Sequence, residues 1–185
     1  MSAMINLMAL VPAERQRAID SAISQIRLDT GMSYPKDGLL DIARELGLDV
    51  QVTELPDFES KGISAVIEWL DKEESEKVGA QARIYLNAKH PPERRTFSLA
   101  HEIGHYMLHE HTTKYRIDSF DYSKNTQVSV EETEANYFAA RFLVPREELA
   151  KIWKITHDLD EIAKHFGVSS PVIENRLKWL TRKTY

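Results

Sequence analysis

Cysteine is missing from all 185 residues of the chain. Disulfide bonds, Cys-ligated zinc and thiol nucleophiles are therefore excluded. Any metal ion must be held by histidine and carboxylate side chains, and any covalent catalysis must use another residue.

Long hydrophobic runs are also missing. No stretch reaches the roughly eighteen consecutive apolar residues that a bilayer-spanning helix needs. The apolar amino-terminal segment 1–18 has neither a preceding positive region nor a small-residue cleavage site, so we do not interpret it as a secretory signal. The sequence predicts no membrane partner, and the cytoplasm is the expected location.

Basic residues are fewer than acidic ones: the chain has 24 Lys and Arg and 29 Asp and Glu, which gives a net charge of −5. This balance argues against a general binder of nucleic acid or anionic membranes, although it leaves room for a local basic patch. Hydrophobic residues make up 42% and charged residues 29% of the chain, as in ordinary globular proteins. The length fits one domain, or one domain with a small appendage.

Hydrophobic periodicity predicts helices around a small sheet, which is an α+β fold. Helical spacing covers 12–28, 37–46, 96–109, 130–143 and the chain from Arg146 onward, with a break at 167–170. Strand-like alternation covers 50–52, 63–70 and 82–87. We expect the charged segment 71–79 to be a turn that closes a hairpin, and 110–129 to be irregular. The predicted organisation is a helical segment at 1–30, a core at 31–145 and a helical tail at 146–185.

The motif His101-Glu102-Ile103-Gly104-His105 carries the chemistry. One helical turn separates the two histidines, so their Cβ atoms lie roughly 5–6 Å apart on one face. Two imidazoles so placed can bind a single Zn²⁺. Glu102 follows His101 by one residue and so lies about 100° further around the helix. In that position it flanks the metal and can take a proton from a metal-bound water.

A catalytic zinc usually needs a third protein ligand, which must here be His, Asp or Glu. The helix 130–143 offers Glu131, Glu132 and Glu134. Small residues at Ala135 and Ala139 would let this helix pack closely on the histidine helix. Glu132 extends that face and is favoured; Glu134 is rotated away and is the second candidate. Asn136 could hold a ligating histidine by its other ring nitrogen.

The segments 94–109 (RRTFSLAHEIGHYMLH) and 131–145 (EETEANYFAARFLVP) resemble the ImmA/IrrE family of zinc metallopeptidases, which are compact, gluzincin-like and similar to thermolysin. The resemblance implies His101 and His105 as metal ligands, Glu102 as the catalytic base and Glu132 as the third ligand. It also implies a regulatory endopeptidase that cuts a helix-turn-helix repressor of the Xre type or an antitoxin.

Several residues around the motif are left with open roles. His109 continues the one-turn spacing and is expected in the core or beside a ligand. Tyr115, Tyr122 and His111 are candidates for stabilising the oxyanion. An extended peptide would add along an exposed sheet edge, for which the segments Ile63–Ile67 and Ala82–Asn87 are the candidates.

The tail resembles a helix-turn-helix, with Gly167 in the turn and Pro171 near the start of the second helix. Residues 171–185 contain four basic residues against one acidic, a surplus that a recognition helix would need. The apolar residues in the same stretch require burial. We therefore favour packing of the tail against the core or a protein partner over contact with nucleic acid.

Two other functions compete with the peptidase. One is a non-catalytic binding module of a toxin–antitoxin or transcription-regulatory system, against which the retained Glu102 counts. The other is a zinc hydrolase that acts on something other than peptides.

Overall fold

The computed structural model describes residues 11–54, 63–109, 115–119 and 130–182. In these residues the chain forms eight helices and four strands. The helices are α1 (Ala13–Thr30), α2 (Leu39–Glu45), α3 (Lys72–Val78), α4 (Pro92–Leu108), α5 (Val130–Leu143), α6 (Arg146–Trp153), α7 (Leu159–His165) and α8 (Ser170–Arg182). The strands are β1 (Leu48–Thr53), β2 (Ile63–Trp69), β3 (Ala82–Asn87) and β4 (Tyr115–Ser119). The predicted α+β class with a helical tail is confirmed.

The described strands form one mixed sheet in the order β1-β3-β2-β4. β1 runs parallel to β3 with Val50 opposite Ile84, whereas β2 is antiparallel to both β3 and β4. β2 is buried from Ile63 to Glu68, which explains why its sequence is apolar without strict alternation. The sheet thereby provides a continuous apolar surface for the helices.

Helix α4 is the centre of the fold. It begins at Pro92, where a proline costs no helical hydrogen bond, and its residues 97–105 are all buried. It packs on β2 and β3, and α5 packs on α4. The two helices approach closely at Gly104, because a Cβ atom built there would lie 3.0 Å from Phe138 Cδ1 and 3.3 Å from Ala135 Cα. The expectation that α5 packs closely on the histidine helix is confirmed.

Helix α1 docks on α5 and α4. It buries Ile19 and Ile26, which lie two turns apart on one face, and it ends at Gly31 in the left-handed conformation (φ +68°). The carboxylate of Asp20 pairs with Arg141 of α5. The amino-terminal helix is therefore part of the same core.

The tail also joins that core. Ile173 of α8 is completely buried, and the Trp179 ring packs edge-on against Tyr137 at 4.2 Å between centroids. Arg176 Nε donates to the Val144 carbonyl at 3.0 Å, and burial lowers the pKa of this guanidinium to about 10. The favoured interpretation, packing on the core, is confirmed, and the buried Arg176 is not presented to a nucleic-acid backbone.

Two local expectations need correction. The segment 71–79 connects the antiparallel strands β2 and β3, as predicted, but it contains helix α3 and is not a simple turn. The Asp71 carboxylate caps this helix by accepting from the Glu74 amide at 2.9 Å, and Gly79 (φ +74°) ends it. Within the supposedly irregular segment 110–129, residues Tyr115–Ser119 form β4 against β2. This strand is too short and polar to be distinguished by alternation alone. The remainder of 110–129 lies outside the described residues.

Both segments proposed as a substrate-binding edge are interior strands. β2 pairs with β3 and β4, and β3 pairs with β1 and β2. Their hydrogen-bonding groups are engaged on both sides, so neither can accept an added strand. In the described part of the sheet the open edges belong to β1 and β4.

No described helix has the length and apolar character needed to cross a bilayer.

We expect Gly104→Val to destabilise the protein by about 1–3 kcal/mol, because the new side chain must displace Phe138 or part α4 from α5. Ala18→Val adds the same branched methyl groups at an exposed position of α1 and should cost no more than about 0.7 kcal/mol. Urea unfolding followed by circular dichroism measures both values. Equal losses in the two variants would contradict the close helix contact.

Ile173→Ala should destabilise the whole protein by about 2–5 kcal/mol, since it leaves a cavity between α8 and the core. Ile155→Ala removes the same atoms from a side chain that is 80% exposed and should change stability by less than about 0.5 kcal/mol. A single, cooperative thermal transition that shifts only in Ile173→Ala is the expected result. A separate early transition would show that the tail unfolds on its own.

Candidate metal centre

His101 and His105 lie one turn apart on α4 and point their Nε2 atoms at the same place. The two nitrogens are 2.9 Å apart, and both side chains are buried. Because α4 is enclosed by the sheet and by α5, both imidazole rings are fixed by packing. The predicted convergence of the two histidines is confirmed.

Glu132 brings a carboxylate to the histidine pair from the first turn of α5. Its Oε2 lies 3.2 Å from His101 Nε2, and its Oε1 lies 3.2 Å from His105 Nε2. One donor atom from each of the three residues can be chosen so that all lie within 4.8 Å of one another. The contact between Gly104 and Ala135 explains this meeting, because it draws the start of α5 toward the histidines.

The electrostatics of Glu132 favour a charged carboxylate. Burial raises the pKa of the Glu132 carboxyl group, but hydrogen bonds and charge attraction from His101 and His105, in the state in which both rings are protonated and no metal is bound, outweigh it. The net result is a pKa well below the usual range. An ionised oxygen donor thus faces two imidazole nitrogens.

This donor set fits a zinc ion. Two imidazoles and one carboxylate are a known set for catalytic Zn²⁺, with ligand distances of about 2.0–2.2 Å and a fourth position left open. Donor atoms within 4.8 Å of one another can reach one ion with little adjustment. The side chains of the two histidines are 0% and 1% exposed, whereas Glu132 is 26% exposed, so solvent reaches the group from the glutamate side.

Asn136 holds the other face of His101. Its Oδ1 lies 3.1 Å from His101 Nδ1, and an amide oxygen can only accept. His101 Nδ1 therefore donates, so that in the neutral ring Nε2 carries the lone pair toward the metal position. The predicted contact between Asn136 and a candidate ligand is confirmed.

Glu134, the second candidate for the third ligand, is engaged elsewhere. Both of its oxygens accept from the Arg15 guanidinium, at 2.6 and 2.5 Å, and Oε2 also lies 3.2 Å from His109 Nε2. The hydrogen bond from Arg15 lowers the pKa of the Glu134 carboxyl group, burial opposes it, and His109 lowers it further, with a net decrease. The structure therefore brings Glu132 to the histidine pair, and not Glu134.

The other residues named from the sequence divide into three groups. Glu102 is fully buried beside His101 on α4. His109 lies behind the histidine pair, with its Nδ1 2.9 Å from His105 Nδ1. Of the oxyanion candidates, Tyr115 lies on β4, while His111 and Tyr122 are outside the described residues.

Sequence reasoning missed Arg15, which is separated from its partner Glu134 by 119 positions and has no motif around it.

The protein is thus an α+β domain with an HExxH helix, to whose histidines the helix α5 brings a glutamate. Residues 43–178 match the IrrE N-terminal-like domain (Peptidase_M78), and the chain is a member of this family, as the sequence predicts. Among solved structures, the chain resembles a Mycobacterium tuberculosis transcriptional regulator, with 19% identity and a TM-score of 0.53. The alignment covers 94% of this chain and 51% of that one, so the chain spans about half of the regulator's length. This likeness shows the shared fold. No curated protein sequence matches the chain closely enough to count as a relative.

We expect the wild-type protein to bind one equivalent of zinc, and His101→Ala and Glu132→Ala to lose it, because each removes a converging donor. Glu131→Ala removes the neighbouring, exposed carboxylate of α5 and should keep full occupancy. Metal content after dialysis, measured by elemental mass spectrometry, gives the result. Zinc retained in Glu132→Ala but lost in Glu134→Ala would show that Glu134, and not Glu132, is the third ligand.

Proposed function

We propose that the protein is a zinc-dependent endopeptidase with His101, His105 and Glu132 as metal ligands and Glu102 as general base. The observation that carries this proposal is the meeting of the three donor atoms within 4.8 Å, with Glu102 next to His101 on α4. Membership of the Peptidase_M78 family supports it. A protein that served only as a binding module would have no need of a buried carboxylate at position 102.

When bound, zinc would supply Lewis acidity that brings the pKa of a water molecule near 7 and polarises a carbonyl group. The chain's own contribution is positional. The His101–Asn136 contact places the proton of a neutral His101 on Nδ1, which leaves Nε2 free for the metal, and Glu132 presents its carboxylate oxygens to the same place. Glu102 takes the proton from the attacking water and passes it to the departing amine nitrogen.

We further propose that the peptidase is regulatory and acts on a protein such as a helix-turn-helix repressor of the Xre type or an antitoxin. Family membership and a similar solved structure that is a transcriptional regulator support a regulatory role, and the substrate class is the one that the resemblance to the ImmA/IrrE peptidases implies. An extended substrate that adds to the sheet must use an open edge, and the described sheet offers β1 and β4. We place the activity in the cytoplasm, where such substrates occur.

Glu102→Gln should lower peptide cleavage by about 10²–10⁴-fold while zinc content stays at one equivalent, because the amide cannot accept the proton. Glu93→Gln makes the same change at an exposed position in the first turn of α4 and should leave cleavage unchanged. Candidate repressors, antitoxins and a peptide library, with simple esters and amides alongside, serve as substrates, and mass spectrometry detects the products.

The outcomes separate the competing functions. Cleavage of esters or small amides without any peptide cleavage would identify a different zinc hydrolase. Binding to a protein or DNA partner that survives Glu102→Gln, with no hydrolysis by the wild type, would identify a regulatory binding module.

A further inference from the structure

A continuous line of polar contacts runs from the amino-terminal helix to the back of one metal ligand. We propose that Arg15, Glu134 and His109 form a positioning chain that fixes the orientation and tautomer of His105 for metal binding. This inference rests on the proposed metal site and assigns a role in it to helix α1.

Each step of the chain is a close contact. His105 Nδ1 lies 2.9 Å from His109 Nδ1, and His109 Nε2 lies 3.2 Å from Glu134 Oε2. The Arg15 guanidinium then clamps Glu134 through Nε at 2.6 Å and Nη2 at 2.5 Å. A two-point contact of this kind fixes the carboxylate in direction as well as in place.

The positioning chain is shielded from water except at Arg15, the end farthest from the metal position. The side chains of His105, His109 and Glu134 are 1%, 6% and 4% exposed, whereas that of Arg15 is 38% exposed. Removing a carboxylate from water is costly unless a cation and hydrogen bonds compensate for it. Arg15 provides that compensation, so Glu134 can remain ionised behind the metal site.

The order of donors and acceptors along the chain follows from its two ends. An ionised Glu134 can only accept, so His109 donates through Nε2–H and keeps the lone pair on Nδ1. His105 then donates through Nδ1–H to His109 Nδ1, which leaves His105 Nε2 unprotonated and facing the metal position. A carboxylate behind a ligating imidazole also makes that imidazole a stronger base, here through an intervening histidine.

The two histidine ligands are thus supported in different ways. An amide oxygen on α5 supports His101 directly, whereas His105 depends on a residue of α1. Arg15 lies outside residues 43–178, the segment that matches the family. The arrangement therefore joins a part of this chain beyond the matched domain to the proposed metal centre.

A second ion pair between the same two helices provides a matched control. Asp20 of α1 pairs with Arg141 of α5, and neither residue belongs to the chain of contacts that leads to His105. If Arg15 served only to dock α1, then Asp20→Asn and Arg15→Gln would have the same consequences. If Arg15 positions Glu134, only Arg15→Gln changes metal binding.

The test measures zinc affinity by competition with a chromophoric chelator, together with the visible spectrum of the Co²⁺-loaded protein. We expect Glu134→Gln to weaken zinc binding by about 10–100-fold and to alter the Co²⁺ spectrum. Arg15→Gln should weaken binding by a smaller factor and add nothing in the Glu134→Gln background. Asp20→Asn should lower thermal stability while its zinc affinity stays within about twofold of the wild type, a limit set by measurement error.

Substitution of His109 distinguishes positioning from simple packing. His109→Leu fills space without accepting a hydrogen bond and should weaken zinc binding about as much as Glu134→Gln. His109→Asn places an amide oxygen near the original Nδ1 position, as Asn136 does for His101, and should restore part of the affinity. Equal affinities for the Leu and Asn variants would overturn the proposal.

The other outcomes are also decisive. A wild-type protein that binds no zinc would refute the proposed function itself. Stoichiometric, tight zinc in the wild type with the same affinity in Glu134→Gln would overturn the positioning chain and leave the peptidase intact. Weakening by Asp20→Asn equal to that by Arg15→Gln would reduce the role of Arg15 to helix docking.

Discussion

The close contact between α4 and α5 determines the geometry of the site. Without a side chain at position 104, the Ala135 backbone and the Phe138 ring come within van der Waals distance of the histidine helix. Because donor atoms must meet to within fractions of an ångström around one ion, a shift of either helix by the size of a methyl group would separate them. The short distance from Glu132 to both histidines is a direct consequence of this packing.

Burial of the two histidines creates a second requirement, because each imidazole has two nitrogens that need partners in a space closed to water. Nε2 of each ring faces the other ring and Glu132, and Nδ1 faces Asn136 in one case and His109 in the other. The polar groups of the site therefore form successive shells, with the metal ligands innermost, Asn136 and His109 behind them, and Glu134 with Arg15 outermost. The side chains of each shell restrict the rotation of those inside it.

Much of this could be predicted from the sequence, since the strongest signals are local. The spacing of His101 and His105, the helical face shared by Glu132, Ala135 and Asn136, and the apolar run of β2 are all properties of short segments. The features that escaped prediction depend on distant partners or on weak patterns. Strand β4 is recognised only through its pairing with β2, helix α3 depends on one capping aspartate, and Arg15 meets Glu134 only after the chain has folded.

The unequal exposure of the three donors has a consequence for how the centre exchanges its contents. The two histidine side chains are buried, while the glutamate at the start of α5 is partly exposed to solvent. Among the described residues, Glu132 therefore borders the open side of the site, by which an ion would enter or leave. The rate of metal exchange should then depend on the motion of this one side chain at a helix terminus as well as on how strongly the buried rings bind the ion.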